Sequence, residues 1–301
     1  MPEDGLNWLS RKELMTYEEM LQSCCLLVKM GIQKVRITGG EPFVRKDIMK
    51  FLTSISKLDG LNELTITTNG ILTAPYVPEL KKIGVSSVNL SLDTLDANRF
   101  FSITRRDESS KVKETLHQLL IHNIDVKINA VVMEGKNTQD IIPLVELTKD
   151  TSVSVRFIEE MPFNGDGHVY GGLQWDHIRI LEEIKSKFPE IKKIPDPLYS
   201  TSYNYQIPGH KGSVGIIAAY SRTFCGTCNR IRITPEGELK TCLYDDGVLN
   251  IKDLIRQGIN DTDLQKILLN KFGNRVKDGW EAEGLRVGNK GFHKSMATIG
   301  G

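Results

Sequence analysis

The sequence predicts an α/β fold: an incomplete β/α barrel followed by a β-rich, cluster-binding C-terminal region. Three observations lead there. Through the first half, β-branched runs alternate with stretches whose apolar residues recur every three or four positions. After Ile194 a Pro- and Ser-rich connector, "IPDPLYSTS", gives way to β-rich arms around Gly-containing turns. Finally, three of the five cysteines fall in one run, "FCGTCNRIRITPEGELKTCLY", from Phe224 to Tyr244.

The strands follow in order. "KVRIT" (34–38), "ELTITTN" (63–69), "SVNLSLD" (87–93), "DVKINAVVM" (125–133) and "SVSVRFIE" (152–159) are the β-branched runs. Between and around them, "TYEEMLQSCCLLVKMG", "RKDIMKFLTSISKL", "YVPELKKIG", "SSKVKETLHQLLIHN" and "TQDIIPLVELTKD" carry helical spacing, and several close on Gly or Asn. "QWDHIRILEEIKSKF" predicts one more helix. Alternation of this kind implies parallel strands joined by right-handed crossovers. No Gly-rich dinucleotide turn follows an early strand, which favours a barrel over a doubly wound sheet. Beyond the connector, "YNYQIPGHKGSVGIIAAYS" and "RIRITPEGELKTCLY" predict antiparallel hairpins. A boundary near Ile194 therefore divides the chain into residues 1–193 and 194–301.

Composition excludes several classes. A formal net charge of +1, with 26% charged and 40% hydrophobic residues, gives no bulk reason to bind nucleic acid. No apolar run approaches the roughly 20 residues of a membrane span. The acidic start "MPEDGLNWLS" is not a signal peptide. An odd, clustered set of cysteines argues against a disulfide framework and for a reducing, cytoplasmic compartment.

In parallel β/α folds, functional groups collect where strands end. Those ends read "TGGEP", "TTNG", "SLDTL", "NAVVM" and "FIEEMP". In "ITGGEP", Gly39 and Gly40 allow close backbone approach to a ligand, and Glu41 before Pro42 makes a stiff exit; a ligand-free βα turn is the bland alternative. Lys34, Arg36, Lys127 and Arg156 lie inside runs that a sheet covered on both faces would keep apolar. Cations on several strands facing one interior require an anion, since an unpaired buried charge is costly. A polyphosphate suits the geometry of Arg and the point charge of Lys; the alternative is snorkelling at an exposed edge. Cys225, Cys228 and Cys242 are spaced to converge, with Arg230 and Arg232 alternating just after Cys228. Zinc would need a fourth ligand such as His210 or His293. An iron–sulfur cluster tolerates three, leaving one iron open. Cys24 and Cys25, mid-helix among apolar residues, read as buried structural thiols.

Together, "RITGGEP", "TTNG", "SLDTL", "VRFIEEMP" and "FCGTCNRIRIT…LKTCL" resemble the radical S-adenosylmethionine GTP 3′,8-cyclases of molybdenum cofactor biosynthesis. The resemblance runs from Met1 to the closing "ATIGG". It implies a radical-S-adenosylmethionine-type barrel, GTP as substrate and two 4Fe-4S clusters. Of these, one cleaves S-adenosylmethionine to start the chemistry by a 5′-deoxyadenosyl radical, and the other, held by Cys225, Cys228 and Cys242, binds guanine. It implies further that Gly39, Gly40, Glu41, Pro42, Thr67, Ser91 and Met161 hold S-adenosylmethionine. Lys34, Arg36, Lys127, Arg156, Arg230 and Arg232 would hold GTP, and Gly300 and Gly301 would form a tail threading into a narrow site. The product would pass to the next enzyme of the pathway, the cyclic pyranopterin synthase. No nucleic-acid or membrane partner is expected, and a homodimer is compatible with the family.

One departure accompanies the resemblance. In the family, a Cys-x3-Cys-x2-Cys loop directly precedes "MPE", the point at which this sequence begins. The ligands of the S-adenosylmethionine-cleaving cluster, the first barrel strand and an N-terminal arginine are therefore expected to be absent. The chain as given is expected to be inactive. The alternatives are another radical enzyme with an auxiliary cluster, which would usually carry more C-terminal cysteines, or a non-catalytic GTP- or iron–sulfur-binding homologue.

Overall fold

The computed structural model describes residues 9–161 and 172–285. The elements of the first half are α1 (Tyr17–Lys29), β1 (Lys34–Ile37), α2 (Ile48–Ile55), β2 (Glu63–Thr68), α3 (Val77–Lys82), β3 (Val85–Ser91), α4 (Ala97–Thr104), α5 (Ser109–Ile121) and β4 (Asp125–Val132). Next come α6 (Ile141–Asp150), β5 (Ser154–Glu159), α7 (His177–Lys187), β6 (Lys192–Lys193), β7 (Tyr203–Gln206) and β8 (Ser213–Ile217). Last are β9 (Arg232–Ile233), β10 (Glu238–Lys240), β11 (Leu249–Asn250), α8 (Ile251–Arg256), α9 (Asp261–Gly273) and α10 (Gly279–Gly284). All five β-branched runs form strands. Helix α4 and the helices after β11 have no counterpart in the sequence reading, and the latter make the C-terminal region more helical than expected.

The chain folds as two compact units that interleave along the sequence. Among the described residues, the first comprises 9–64 and 229–285, and the second 65–161 and 172–228. Ile194, the expected boundary, falls inside the second unit.

In the first unit, one hydrophobic core joins residues from opposite ends of the sequence. Leu26 and Leu27 of α1 pack with Leu239 of β10, Ile251 of α8, and Leu264 and Leu268 of α9. Thr16 and Glu19 form a reciprocal capping box that starts α1. The Glu19 carboxylate also takes the Arg256 guanidinium at 2.6 Å, and that bond first of all holds its pKa below the usual carboxylate range. Arg256 further donates to the carbonyls of Lys12 and Leu14, and Met15 N–H donates to the Pro235 carbonyl at 2.8 Å. The small antiparallel sheet β11-β10-β9 has Leu239 opposite both Ile233 and Leu249.

In the second unit, the sheet runs β2-β3-β4-β5-β8-β7-β6. Strands β3, β4, β5 and β8 are parallel, and β8, β7 and β6 pair antiparallel. The expected hairpin is present as β7 and β8, but it joins the main sheet through β5. The sheet is open, not closed into a ring, among the described residues. Its apolar face is nearly sealed: Val88, Leu90, Ile128, Val155 and Phe157 are all fully buried. Leu80, Val112, Leu144 and Ile180, from α3, α5, α6 and α7, are fully buried as well. The other face is polar. Burial alternates residue by residue along β4 and β5, and this period of two decides which side chains reach the site.

Leu239 ties early and late chain in the first unit and has no exposed surface. Leu239→Ala should lower stability by about 3 kcal/mol, within the range for large-to-small core changes. Urea unfolding checks this; a loss below about 1 kcal/mol would contradict a shared core.

Candidate functional site

Paired residues of parallel neighbours project from the same face of a sheet. In the second unit, Asn89 pairs with Lys127, and Asn129 with Arg156, which in turn pairs with Gly215. These residues line the polar face. The Arg156 guanidinium is held from two strands, its Nη2 donating to Asn89 Oδ1 at 2.7 Å and its Nε to Asn129 Oδ1 at 2.9 Å. Asn89 Nδ2 then donates to Thr67 Oγ1 at 3.2 Å. One chain of contacts thus links Thr67, expected on the cofactor side, with Arg156, expected on the phosphate side. Gly215 makes room for it: a methyl there would stand 3.0 Å from Arg156 Cγ. Ser91 is exposed at the end of β3, and Met161 is half-buried just past β5.

At the end of β5, the fully buried Glu159 ties two distant loops together. Its Oε1 accepts from the His177 backbone N–H at 2.8 Å and from Ser221 Oγ at 2.9 Å, and its Oε2 accepts from Ser221 N–H at 2.7 Å. Four residues on, Cys225 opens a single 3-10 turn that Cys228 closes, the Cys228 N–H donating to the Cys225 carbonyl at 3.1 Å. Neither cysteine is in a disulfide. His210 instead shares its Nδ1 with the Thr148 hydroxyl at 2.8 Å.

The first unit carries the remaining positions. Lys34 pairs with Glu63 at 2.5 Å on the surface, so it does not face an interior without a counter-charge. Desolvation first, and the Arg230 charge second, lower the pKa of Arg36 against the opposing pull of Glu63. Arg36 and Arg230 therefore form a cationic pair whose mutual repulsion an anion would relieve. Arg232 sits opposite Lys240 across β9 and β10. Gly39 has φ +109°, a conformation side chains resist, with open space where a Cβ would lie. The Glu41 carboxylate accepts the Phe43 N–H at 3.1 Å, starting a 3-10 turn with Pro42 in its first position.

Cys242 lies on a loop organised by Asp245. One carboxylate oxygen accepts from Cys242 N–H at 2.7 Å and Thr241 N–H at 2.9 Å, and the other from Gly247 N–H at 2.9 Å. Among the described residues, no three His, Cys, Asp or Glu side chains gather as a metal site. Two of the three expected thiols belong to one unit and the third to the other. Gly300, Gly301 and His293 lie outside the described residues.

Sequence reasoning did not single out Asn89, Asn129, Glu159, Asp245 or Asp93. For the two asparagines the signal was present, since both alternate in phase with Lys127 and Arg156. Asp93 follows Ser91 on the same side of its strand end, where its Oδ1 accepts the Val131 N–H at 2.8 Å. Burial pushes its carboxyl up to about 6, against the pull of that hydrogen bond.

Residues 4–148 match the family model described as Radical SAM superfamily, and residues 153–279 match the one described as Molybdenum Cofactor Synthesis C. The chain is 39% identical over 278 residues to molybdenum cofactor biosynthesis protein 1 of Bos taurus, covering 92% of this chain and 44% of that protein. It thus spans under half the length of that relative. It is 38% identical to the mitochondrial GTP 3′,8-cyclase of Arabidopsis thaliana, covering 100% of this chain and 76% of the relative. Identity to the GTP 3′,8-cyclase of Peptoclostridium acidaminophilum is 37%, covering 100% and 90%. Among solved structures, Streptococcus suis SuiB bound to S-adenosylmethionine aligns with a TM-score of 0.60 at 16% identity, over 94% of this chain and 70% of that one. That likeness is one of fold alone. No helix among the described residues is long and apolar enough to cross a membrane.

The raised carboxyl pKa of Asp93 makes stability depend on pH with a definite sign. The folded state keeps a proton that the unfolded state has released between pH 3.8 and about 6. Stability therefore falls as pH rises through that window and levels off above it. Asp93→Asn keeps an acceptor for Val131 and removes the charge. It should be the more stable form at pH 7, by up to roughly 3 kcal/mol, with the difference shrinking toward pH 4. Urea unfolding at both pH values checks this; a difference independent of pH would contradict it.

Proposed function

The chain belongs to the GTP 3′,8-cyclase family of the radical SAM superfamily, and we propose that it serves the rearrangement of GTP to 3′,8-cyclo-7,8-dihydro-GTP, the first step of molybdenum cofactor biosynthesis. The observation that carries this reading is the Arg156 guanidinium, held by Asn89 and Asn129 on the polar sheet face that also carries Lys127. A planar fork fixed in this way suits a phosphate oxygen pair. Arg36 and Arg230, electrostatic neighbours, add cationic charge that a triphosphate would neutralise. Lys34 and Arg232 complete the GTP set, with Lys34 exchanging Glu63 for the ligand.

S-adenosylmethionine would be held by Gly39, Gly40, Glu41, Pro42, Thr67, Ser91 and Met161. When bound with its reducing cluster, it supplies the hydrogen-abstracting power that no protein side chain has. No Cys-x3-Cys-x2-Cys occurs in the 301 residues, so the reading assigns none of them to that cluster. The donor chemistry, though not a gathered trio of side chains, supports the second cluster. Cys225, Cys228 and Cys242 are in no disulfide, and their thiols are soft ligands of the kind iron–sulfur clusters take. The Cys225–Cys228 turn keeps two of them one turn apart, and Asp245 fixes the backbone of the third. Gly300 and Gly301 would form the tail that enters the site.

Anaerobic reconstitution with iron and sulfide tests this directly. About four irons per chain are expected at the Cys225, Cys228 and Cys242 site. GTP should then change the visible spectrum, and Cys242→Ser should lose most of the iron. Zinc bound without iron, or a spectrum indifferent to GTP, would overturn the assignment.

A further inference from the structure

We infer that Asn89 is a positioning residue that sets the Arg156 guanidinium for a triphosphate and turns the Thr67 hydroxyl toward the cofactor side. The inference rests on the anion reading of the Arg156 site given above. Its basis is donor and acceptor accounting. Arg has only donors, so the Asn89 atom 2.7 Å from Arg156 Nη2 must be the carbonyl oxygen. The amide orientation follows, and the Asn89 nitrogen must then donate to Thr67 Oγ1 at 3.2 Å. Thr67 Oγ1 accepts there, so its own proton is directed away from Asn89.

Asn89 is 2% exposed, and an amide buried to that degree is tolerable only when its polar atoms are paired. Both its oxygen and its nitrogen have partners, on two different strands. Asn129 holds the same guanidinium at Nε, so two amides on adjacent strands fix the plane of Arg156. A plane set before the ligand arrives need not be ordered at the moment of binding. The same amide touches the residue expected to meet the cofactor. Thr67 and Arg156 thus share one rigid intermediary.

The experiment uses the chain as it stands, with inorganic triphosphate as the probe. Affinities are measured by calorimetry for the unmodified chain, Asn89→Leu, Arg156→Ala and the double variant, with thermal melts to confirm folding. Asn89→Leu should weaken triphosphate binding about tenfold, and the double variant should bind no more weakly than Arg156→Ala alone. Asn89→Asp is the second variant. It keeps an acceptor for Arg156 but places a carboxylate beside it, and should also bind at least about tenfold more weakly while staying folded. Its result decides the matter if Asn89→Leu does not fold.

If Arg156→Ala weakens binding while the Asn89 variants bind like the unmodified chain, or if the Leu and Ala effects simply add, the positioning role is refuted and the anion site stands. If Arg156→Ala leaves triphosphate binding unchanged, the anion reading itself fails and this inference falls with it.

Discussion

Setting a guanidinium amid the strands of a parallel sheet is tolerable only when its donors are met, and the organisation of the second unit follows from meeting those of Arg156. Two asparagines on neighbouring strands supply the acceptors, and a glycine on the strand beyond leaves room for the stem. Those positions work only in the observed register. A slip of one residue would turn Arg156 into the apolar layer that Phe157 and Val155 now fill. Site and core therefore specify each other. The hydrophobic residues that seal one face of β4 and β5 fix which polar residues the other face presents.

The first unit meets a different constraint. Its core is built from α1 and from β10, α8 and α9, more than 200 residues later in the chain. The Arg256–Glu19 pair and the Met15–Pro235 backbone bond reinforce the same closure. Such long-range closure is entropically costly, and burial of Leu26, Leu27, Leu239, Ile251, Leu264 and Leu268 offsets it. The closure also places residues from the start and the end of the sequence in one unit. Arg36 and Arg230 become electrostatic neighbours in this way.

Much of the fold was legible because period-two and period-3.6 patterns are local. The five early strands and the helices between them, α4 excepted, follow from side-chain spacing alone. The interleaving was not legible, since nothing near Ile194 signals that β8 will pair with β5. Val214 and Ile216 are apolar enough for a central strand, but their neighbour in the sheet is set by tertiary packing. Helices α8 and α9 went unread as well. Their N-caps, Asn250 and Asn260, were available as signals, each accepting the N–H three residues on. At the site, the charged residues stood out because charge inside a β-branched run is anomalous. Their supports did not, because an isolated Asn or Asp has many ordinary uses. Asn89 and Asn129 acquire meaning only once the strands are aligned beside Arg156. Lys34 shows the converse, a conspicuous cation that an ordinary surface glutamate already matches.

Under the proposed function, GTP is held mainly through charge on fixed cationic groups. The most direct test compares GTP with guanosine by calorimetry on the reconstituted protein. Each charge-assisted hydrogen bond contributes roughly 1.5–3 kcal/mol, so the triphosphate should raise affinity at least about tenfold over the nucleoside, with the advantage shrinking as salt is added. Equal affinities for GTP and guanosine, indifferent to salt, would contradict the account.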